Sequence, residues 1–137
     1  MHELKIEVRR ATEDRWAGGD LDVRGEIRDA VDSAERNIEE GFGRYNPLAF
    51  ANFLDFSRVF ACQTRSLLRK GLACGYFSAE QFNRLDALAV HALRAVVKFQ
   101  RFLRSPAAKA ITSGRYQRPY TARVSTPAND AKASNSS

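Results

Sequence analysis

The residues of this 137-residue chain that could perform chemistry are few and widely separated. The two histidines, His2 and His91, stand alone, and no Glu-x-x-His pair is present to build a metal site inside a helical bundle. No zinc-protease, phosphate-binding-loop or nucleophile-elbow motif occurs. Glu39 and Glu40 belong to an acidic run whose spacing places it on the polar face of a helix, where we expect it to be solvated. We therefore expect no enzyme activity, no metal and no cofactor.

The two cysteines, Cys62 and Cys74, lie in one predicted helix, which separates them by about 18 Å at 1.5 Å per residue. A disulfide requires Cα atoms within about 7 Å, so no intramolecular bridge is expected. We expect both to be buried, free thiols of a reducing compartment. No apolar run approaches the roughly 20 residues that span a bilayer, and the N-terminus lacks the apolar core of a signal peptide. A cytoplasmic location without a membrane partner is expected.

The basic residues are the more informative feature. The net charge is +6 at pH 7 and the sequence pI is near 9.7. Residues 20–43 carry eight acids and three arginines, whereas residues 56–104 carry nine bases and two acids. An acidic helix is thus followed by two basic ones. A basic surface of this kind favours an anionic partner.

Bases recur at helical spacing on the third and fourth predicted helices, and those of the fourth helix lie opposite its apolar seam. Further bases follow near the C-terminus beside Tyr116 and Tyr120, residue types that stack on unpaired bases. If nucleic acid is the partner, we expect the following residues to bind it: Arg58, Arg65, Arg69, Lys70, Arg94, Lys98, Arg101, Arg104, Arg115 and Arg118. The alternative is a solvated basic face with a solubilising tail.

Hydrophobic periodicity predicts the elements that position these bases. It indicates helices over residues 3–17, 20–42, 47–74 and 78–103, and no strand. Their short connections predict an all-α, antiparallel up-down four-helix bundle over residues 1–105, with a short first helix. Small and polar residues dominate residues 106–137, which we expect to form a basic, largely disordered tail.

The third predicted helix is apolar around much of its circumference. One seam comprises Phe50, Phe53, Ser57, Phe60, Thr64, Leu67 and Gly71. A second seam beside it comprises Leu54, Ala61, Leu68 and Leu72. A bundle of this size is expected to bury one seam internally, and soluble monomers rarely expose the other. We therefore predict that the second seam is an interface between subunits.

Residues Asn37 to Arg44 read N-I-E-E-G-F-G-R. This resembles the N-I-A-E-G-F-G-R signature of the four-helix bundle protein family, also called the 23S rRNA intervening-sequence protein family. Further motifs agree in register over roughly residues 27–104, although Glu39 stands where the family prefers a small residue. The resemblance implies a four-helix bundle protomer, a ring-like homopentamer and no established catalytic residues.

The resemblance also implies partners. Family genes can lie within insertions in ribosomal RNA genes. A distant relative is the accessory variability protein of diversity-generating retroelements, which assists a reverse transcriptase and binds nucleic acid. RNA, DNA and a reverse transcriptase or other protein are therefore expected partners by association.

The signature itself has a structural interpretation. Its distinctive residues are Asn37, Gly41, Phe42, Gly43 and Arg44. Phe42 is expected in the core, and the two glycines are expected to let the chain turn tightly after the helix. Arg44 would bind either the last carbonyls of the helix or a neighbouring subunit.

Two functions of different kinds remain. The first is a non-enzymatic homo-oligomer that binds RNA or DNA through phosphates. The second is a protein-interaction scaffold in which the acidic second helix and the basic third and fourth helices serve self-assembly or docking. Strong salt dependence of nucleic-acid binding separates the first from the second.

Overall fold

The computed structural model describes residues 1–13 and 21–115, and of residues 111–115 the backbone alone. Trp16 and the chain beyond residue 115 lie outside the described residues. The described ranges contain five helices and no strand, which confirms the all-α fold. The helices are α1 (His2–Ala11), α2 (Leu21–Phe42), α3 (Pro47–Ala73), α4 (Ala79–Leu103) and α5 (Pro106–Arg115).

The first four helices form a four-helix bundle. Helices α1 and α3 each pack against both α2 and α4, whereas within the described ranges α1 does not pack against α3 and α2 does not pack against α4, so each of these two pairs lies diagonally across the bundle. Ser57 of α3 donates a hydrogen bond to the Ala34 carbonyl of α2, whereas Arg65 of α3 contacts Asp86 of α4. Residues late in one helix thus meet residues early in the next, and neighbours run antiparallel as predicted.

The helix ends follow the sequence closely. The Asn46 side chain accepts hydrogen bonds from the amides of Leu48 and Ala49 at the start of α3. Ser78 and Gln81 form the predicted capping box at the start of α4. In the connection between α3 and α4, Gly75 adopts a φ of +82°, a left-handed conformation that glycine tolerates best, and the chain reverses there.

The core contains two clusters along the bundle. One includes Leu4 and Val8 of α1 together with apolar residues of α2, α3 and α4. The other is built on Ala51, Leu54, Val96 and Leu103, and Met1, which precedes α1, packs against it.

The predicted subunit interface was wrong. Leu54, Ala61 and Leu68 are 1%, 0% and 0% exposed, and Leu72 is half-buried. The cause is the position of α3 between α2 and α4, since a helix with two neighbours buries both of its apolar seams inside one protomer. Residues that are already buried in this way are not available to another subunit.

Part of the predicted tail is helical. Residues Pro106–Arg115 form α5, which packs against α3 and α4, and Ala108 is buried there. The rest of the predicted tail, residues 116–137, lies outside the described residues.

Helix α1 is held to α2 by ion pairs, so part of the acidic run is paired rather than solvated. The Glu35 carboxylate lies 2.7 Å from Nδ1 of His2 and 2.8 Å from Nζ of Lys5. Arg9 lies 2.6 Å from the Asp32 carboxylate. At the other end of α1, Arg28 donates to the hydroxyl and carbonyl oxygens of Thr12.

These contacts make the docking of α1 dependent on pH. Burial by itself would raise the pKa of the Glu35 carboxyl, but hydrogen bonds from Lys5 and His2 outweigh it and lower the pKa. A lowered carboxyl pKa contributes stability above the unfolded value of about 4.3, and the contribution is lost as pH falls through the folded value. The hydrogen bond to Glu35 raises the pKa of Lys5, so its contribution is lost only at high pH.

We therefore expect the thermal midpoint of the wild type to fall, from about pH 5 to about pH 3, by a few degrees more than that of Glu35→Gln. The other carboxyls titrate in both proteins and cancel in the difference. Calorimetry at matched protein concentration measures it. Parallel midpoint curves for the two proteins would show that the Glu35 contacts do not stabilise α1.

Candidate nucleic-acid interface

The outward face of α4 carries a row of exposed bases. Arg94, Lys98 and Arg101 follow one another at intervals of four and three residues, so they project from one side of the helix. Arg84 and His91 lie on the same face one to three turns earlier and are also exposed. The buried residues of α4, such as Leu85, Ala89 and Val96, lie on the opposite side.

The cations of this row are not neutralised by neighbours. Within the described part of the chain, Arg84, Arg94, Lys98 and Arg101 have no ion pair and no side-chain hydrogen bond. We name Arg94, Lys98 and Arg101 the basic row. Exposed, unpaired cations at helical spacing can each contact one phosphate, and all three lie on the outward face of α4, where their spacing predicted them.

Helix α3 contributes fewer free bases than predicted. Arg69 and Lys70 are exposed and, among the residues described, likewise lack an acidic partner. Arg65 instead makes two hydrogen bonds to the Asp86 carboxylate, at 2.7 and 3.1 Å. That contact raises the pKa of Arg65 and engages the guanidinium within the fold. Arg65 thus joins α3 to α4 rather than facing a ligand.

Arg58 and Arg104 are also engaged, through a polar group that the sequence reasoning missed. Gln100 is 2% exposed, and its amide donates to the Ala51 carbonyl at 2.9 Å and to Asp55 at 2.7 Å. Its carbonyl oxygen accepts from Arg58 at 3.0 Å. The full set is Ala51, Asp55, Arg58, Gln100 and Arg104.

Asp55 connects this set to the end of α4. Arg104 donates to its carboxylate at 2.9 Å. The hydrogen bond from Gln100 lowers the pKa of Asp55, as does that from Arg104, against the opposing effect of burial. A charged Asp55 therefore offsets Arg58 and Arg104, and both bases contribute less to phosphate binding than predicted. The polar residue Gln100 within an apolar seam was the available signal.

Two of the predicted binding residues fall outside the description. The side chain of Arg115 and the whole of Arg118 lie beyond the described residues. The two cysteines, by contrast, are described, and their predicted burial was wrong. Cys62 and Cys74 are both exposed and free. Cys62 lies on the outward side of α3 and Cys74 at its C-terminal end, where none of the described helices covers them.

The signature residues form the corner between α2 and α3. Gly41 is buried, and a Cβ added there would lie 2.7 Å from Cδ1 of Phe50 and 2.8 Å from Cβ of Phe53. Gly41 therefore serves close helix packing rather than the turn itself. The left-handed residue of the turn is Tyr45, with φ of +57°. Asn37 donates to the Ser33 carbonyl one turn earlier.

Two further corrections concern this corner. Phe42, predicted to be a core residue, is 66% exposed. Within the protomer, the Arg44 guanidinium does not bind the last carbonyls of α2. It pairs with the Glu40 carboxylate at 3.0 Å and lies over the Phe53 ring, 4.9 Å from the ring centroid. A contact to another subunit stays a prediction.

Phe42 belongs to an aromatic cluster beside the basic row. We define the aromatic cluster as Phe42, Phe50, Phe99 and Phe102. The Phe50 ring meets those of Phe42 and Phe99 edge-on, with centroids 6.1 and 5.2 Å apart. The Phe99 and Phe102 rings are stacked at an interplanar angle of 12° and a centroid distance of 6.3 Å. Phe99 and Phe102 are 41% and 42% exposed.

A separate apolar surface lies on the outward face of α3. Leu48, Phe56 and Val59 are 53%, 56% and 62% exposed. We name Leu48, Phe56 and Val59 the outer stripe. The exposed polar residue Asn52 lies between Leu48 and Phe56 on the same side of the helix. The density of apolar residues on α3 led to the prediction that one apolar face is left exposed. The exposed face is the outer stripe and not the second seam that was predicted.

Two findings concern other kinds of site. In residues 1–13 and 21–115, no three His, Cys, Asp or Glu side chains come together in a way that would hold a metal ion. None of the helices described combines the length and the apolar character needed to cross a membrane.

The fold and this surface define a class: an all-α bundle whose fourth helix presents exposed, unpaired bases beside exposed aromatic rings. The chain belongs to the family described as 23S rRNA-intervening sequence protein, whose family model matches residues 1–98. This confirms the resemblance drawn from residues 37–44. Neither the curated proteins nor the solved structures contain a match to the chain.

Proposed function

We propose that this protein is a non-enzymatic, homo-oligomeric bundle that binds RNA or DNA through phosphate contacts made by α4. The observation that carries the proposal is the basic row, Arg94, Lys98 and Arg101, which is exposed and has no acidic partner in the described residues. Cations that a fold leaves unpaired on one face attract a polyanion and release its counterions.

Two further observations support an RNA-related role. The family description names an intervening sequence of 23S rRNA. Arg84 extends the basic row along α4, and Arg69 and Lys70 add charge on the neighbouring helix. Because contacts to phosphates carry no sequence information, we expect little discrimination between base sequences.

Oligomerisation would multiply this surface. The outer stripe on α3 offers an apolar contact for a second copy, and the acids Glu26 and Asp29 of α2 are exposed and unpaired within the described ranges. An acidic face against a neighbour's basic surface gives a head-to-tail contact, which closes into a ring when the geometry allows. The count of five rests on the family resemblance. Avidity would then strengthen weak phosphate contacts.

The second candidate function is a protein-interaction scaffold. The outer stripe favours it, because exposed apolar surface of this kind commonly marks a protein contact. A reverse transcriptase is the partner that the distant resemblance suggests, and a cytoplasmic location remains a prediction. Under this function nucleic acid would not bind.

The test compares two double variants that change the net charge equally. Lys98→Glu with Arg101→Glu alters the basic row, whereas Arg10→Glu with Arg36→Glu alters exposed arginines of α1 and α2. We expect the first to lower affinity for an RNA oligonucleotide at about 50 mM salt by tenfold or more and to reduce the salt slope by about 2. The second should leave the affinity within about twofold, since it changes only long-range charge.

Fluorescence anisotropy across a salt series gives both quantities. Equal losses in the two variants would mean that binding follows net charge and has no site on α4. No binding by the wild type at about 50 mM salt would exclude the nucleic-acid function and leave the scaffold.

A further inference from the structure

We infer that the α4 interface takes single-stranded nucleic acid, whose unpaired bases stack on the exposed rings of the aromatic cluster while the basic row holds the phosphates. This inference rests on the proposed function and specifies its ligand. It follows from the position of Phe102, which neither the core nor the helix ends explain.

Phe102 lies on the polar side of α4. It is one turn after Lys98, at the i, i+4 spacing that makes side chains neighbours on a helix surface, and it is 42% exposed. Arg101 immediately precedes it along the chain. A large, exposed aromatic side chain beside Lys98 and Arg101 contributes little to the core. It is placed to contact a ligand that these cations bind.

The neighbouring rings hold Phe102 in place. Its ring stacks on that of Phe99, which in turn packs edge-on against the half-buried Phe50. Phe42 joins from the end of α2 with 66% of its surface exposed. The exposed rings therefore belong to a packed assembly, and a base that stacks on them gains contact without the entropy cost of ordering a free side chain.

The exposed rings lie at the ends of α2 and α4. Phe42 is the last residue of α2 and is 66% exposed, and Phe102 is 42% exposed one residue before the end of α4. Met1 packs together with Phe50 against the core cluster at this end, and the rings of Phe42 and Phe102 stay exposed beside it.

The charges of the basic row and the rings of the aromatic cluster favour one kind of ligand over the others. A symmetric contact with a second copy would bring the basic row against itself, and like charges repel. A double helix exposes phosphates but keeps its base faces stacked inside, so the rings would have nothing to stack on. A single strand offers both phosphates and base faces, and base–aromatic stacking is tolerant of sequence.

The test uses Phe102→Leu, which keeps apolar volume and removes the flat ring. Its control is Ile6→Ala on α1, which reduces a similarly exposed apolar side chain (38% against 42%) outside both the aromatic cluster and the outer stripe. The probes are an oligouridylate, a duplex RNA of equal length, and a single strand carrying 2-aminopurine, whose fluorescence is quenched by stacking. Circular dichroism confirms that both variants are folded.

We expect Phe102→Leu to weaken binding of the single strand about fivefold or more, to leave the salt slope and duplex affinity unchanged, and to relieve the 2-aminopurine quenching. Ile6→Ala should change none of these. Salt-dependent binding that is equal for single strand and duplex and insensitive to Phe102→Leu would overturn the inference while the proposed function stands. A change in oligomeric mass caused by Phe102→Leu, without an effect on binding, would assign the rings to a contact between copies and also overturn it. Absence of binding to either probe would remove the proposed function itself.

Discussion

Replacing Gly41 by alanine is expected to lower the free energy of unfolding by about 1–3 kcal/mol. A Cβ at this position would lie 2.7 Å from Cδ1 of Phe50 and 2.8 Å from Cβ of Phe53. The Phe50 ring can rotate away, but the Cβ of Phe53 is fixed to the backbone of α3. The clash with Phe53 can therefore be relieved only if α2 and α3 move apart beside the short loop that connects them. Close-packed interiors resist such shifts.

Gly25→Ala is the matched control, because Gly25 lies in the same helix and a Cβ there meets nothing within 4 Å. Alanine should stabilise the helix there by about 0.5–1 kcal/mol. Urea unfolding of both variants, followed by circular dichroism at one protein concentration, gives the comparison. If Gly41→Ala is as stable as Gly25→Ala, α2 and α3 do not approach as closely as the structure shows.

The local features of the fold were predictable because each depends on nearby residues. Asn46 followed by Pro47 begins a helix, and Ser78 with Gln81 begins another, since these side chains satisfy backbone amides within three residues. The seam of α4 follows from periodicity in the same way. Such signals require no knowledge of which helices become neighbours.

The predictions were wrong where the burial of a side chain depends on which helices pack beside it. Leu68 and Phe42 both lie at apolar positions, yet Leu68 is 0% exposed and Phe42 is 66% exposed. Leu68 is buried because α3 has two neighbouring helices, whereas Phe42 is the last residue of α2 and its side chain stays exposed. Periodicity reveals neither. Cys62 is exposed because it lies on the outward side of α3, which none of the described helices covers.

The candidate site was predicted in part. Arg94, Lys98 and Arg101 lie where their spacing placed them, because the outward face of a helix is opposite its seam. The ion pair between Arg65 and Asp86 joins residues 21 positions apart, and its formation depends on the register of α3 against α4. Spacing within one helix gives no information on that register.

Self-association through the outer stripe is the second large effect that we expect. Phe56 and Val59 are 56% and 62% exposed and are neighbours one turn apart on α3, while Leu48 lies two turns before Phe56 on the same side. Soluble monomers rarely expose large apolar side chains grouped on one helix face, and their burial between copies is favourable. We expect the wild type to have a mass that is a multiple of 15.4 kDa, five-fold if the family resemblance holds. Val59→Asp should yield a folded monomer, because a carboxylate at an apolar interface is strongly unfavourable.

Leu21→Asp provides the comparison, since Leu21 is 66% exposed at the start of α2 and lies outside the outer stripe. The two substitutions introduce the same charge at equally exposed positions, so a general effect of charge on assembly would appear in both.

Light scattering with chromatography at micromolar concentration measures the masses, and circular dichroism verifies the folds. A wild type of 15.4 kDa would exclude self-association. A dimer or tetramer that Val59→Asp dissociates would keep the outer stripe as the interface and correct only the count. An oligomer that survives Val59→Asp but not Leu21→Asp would place the interface at the N-terminal end of α2, where the acidic face could meet a neighbour's bases.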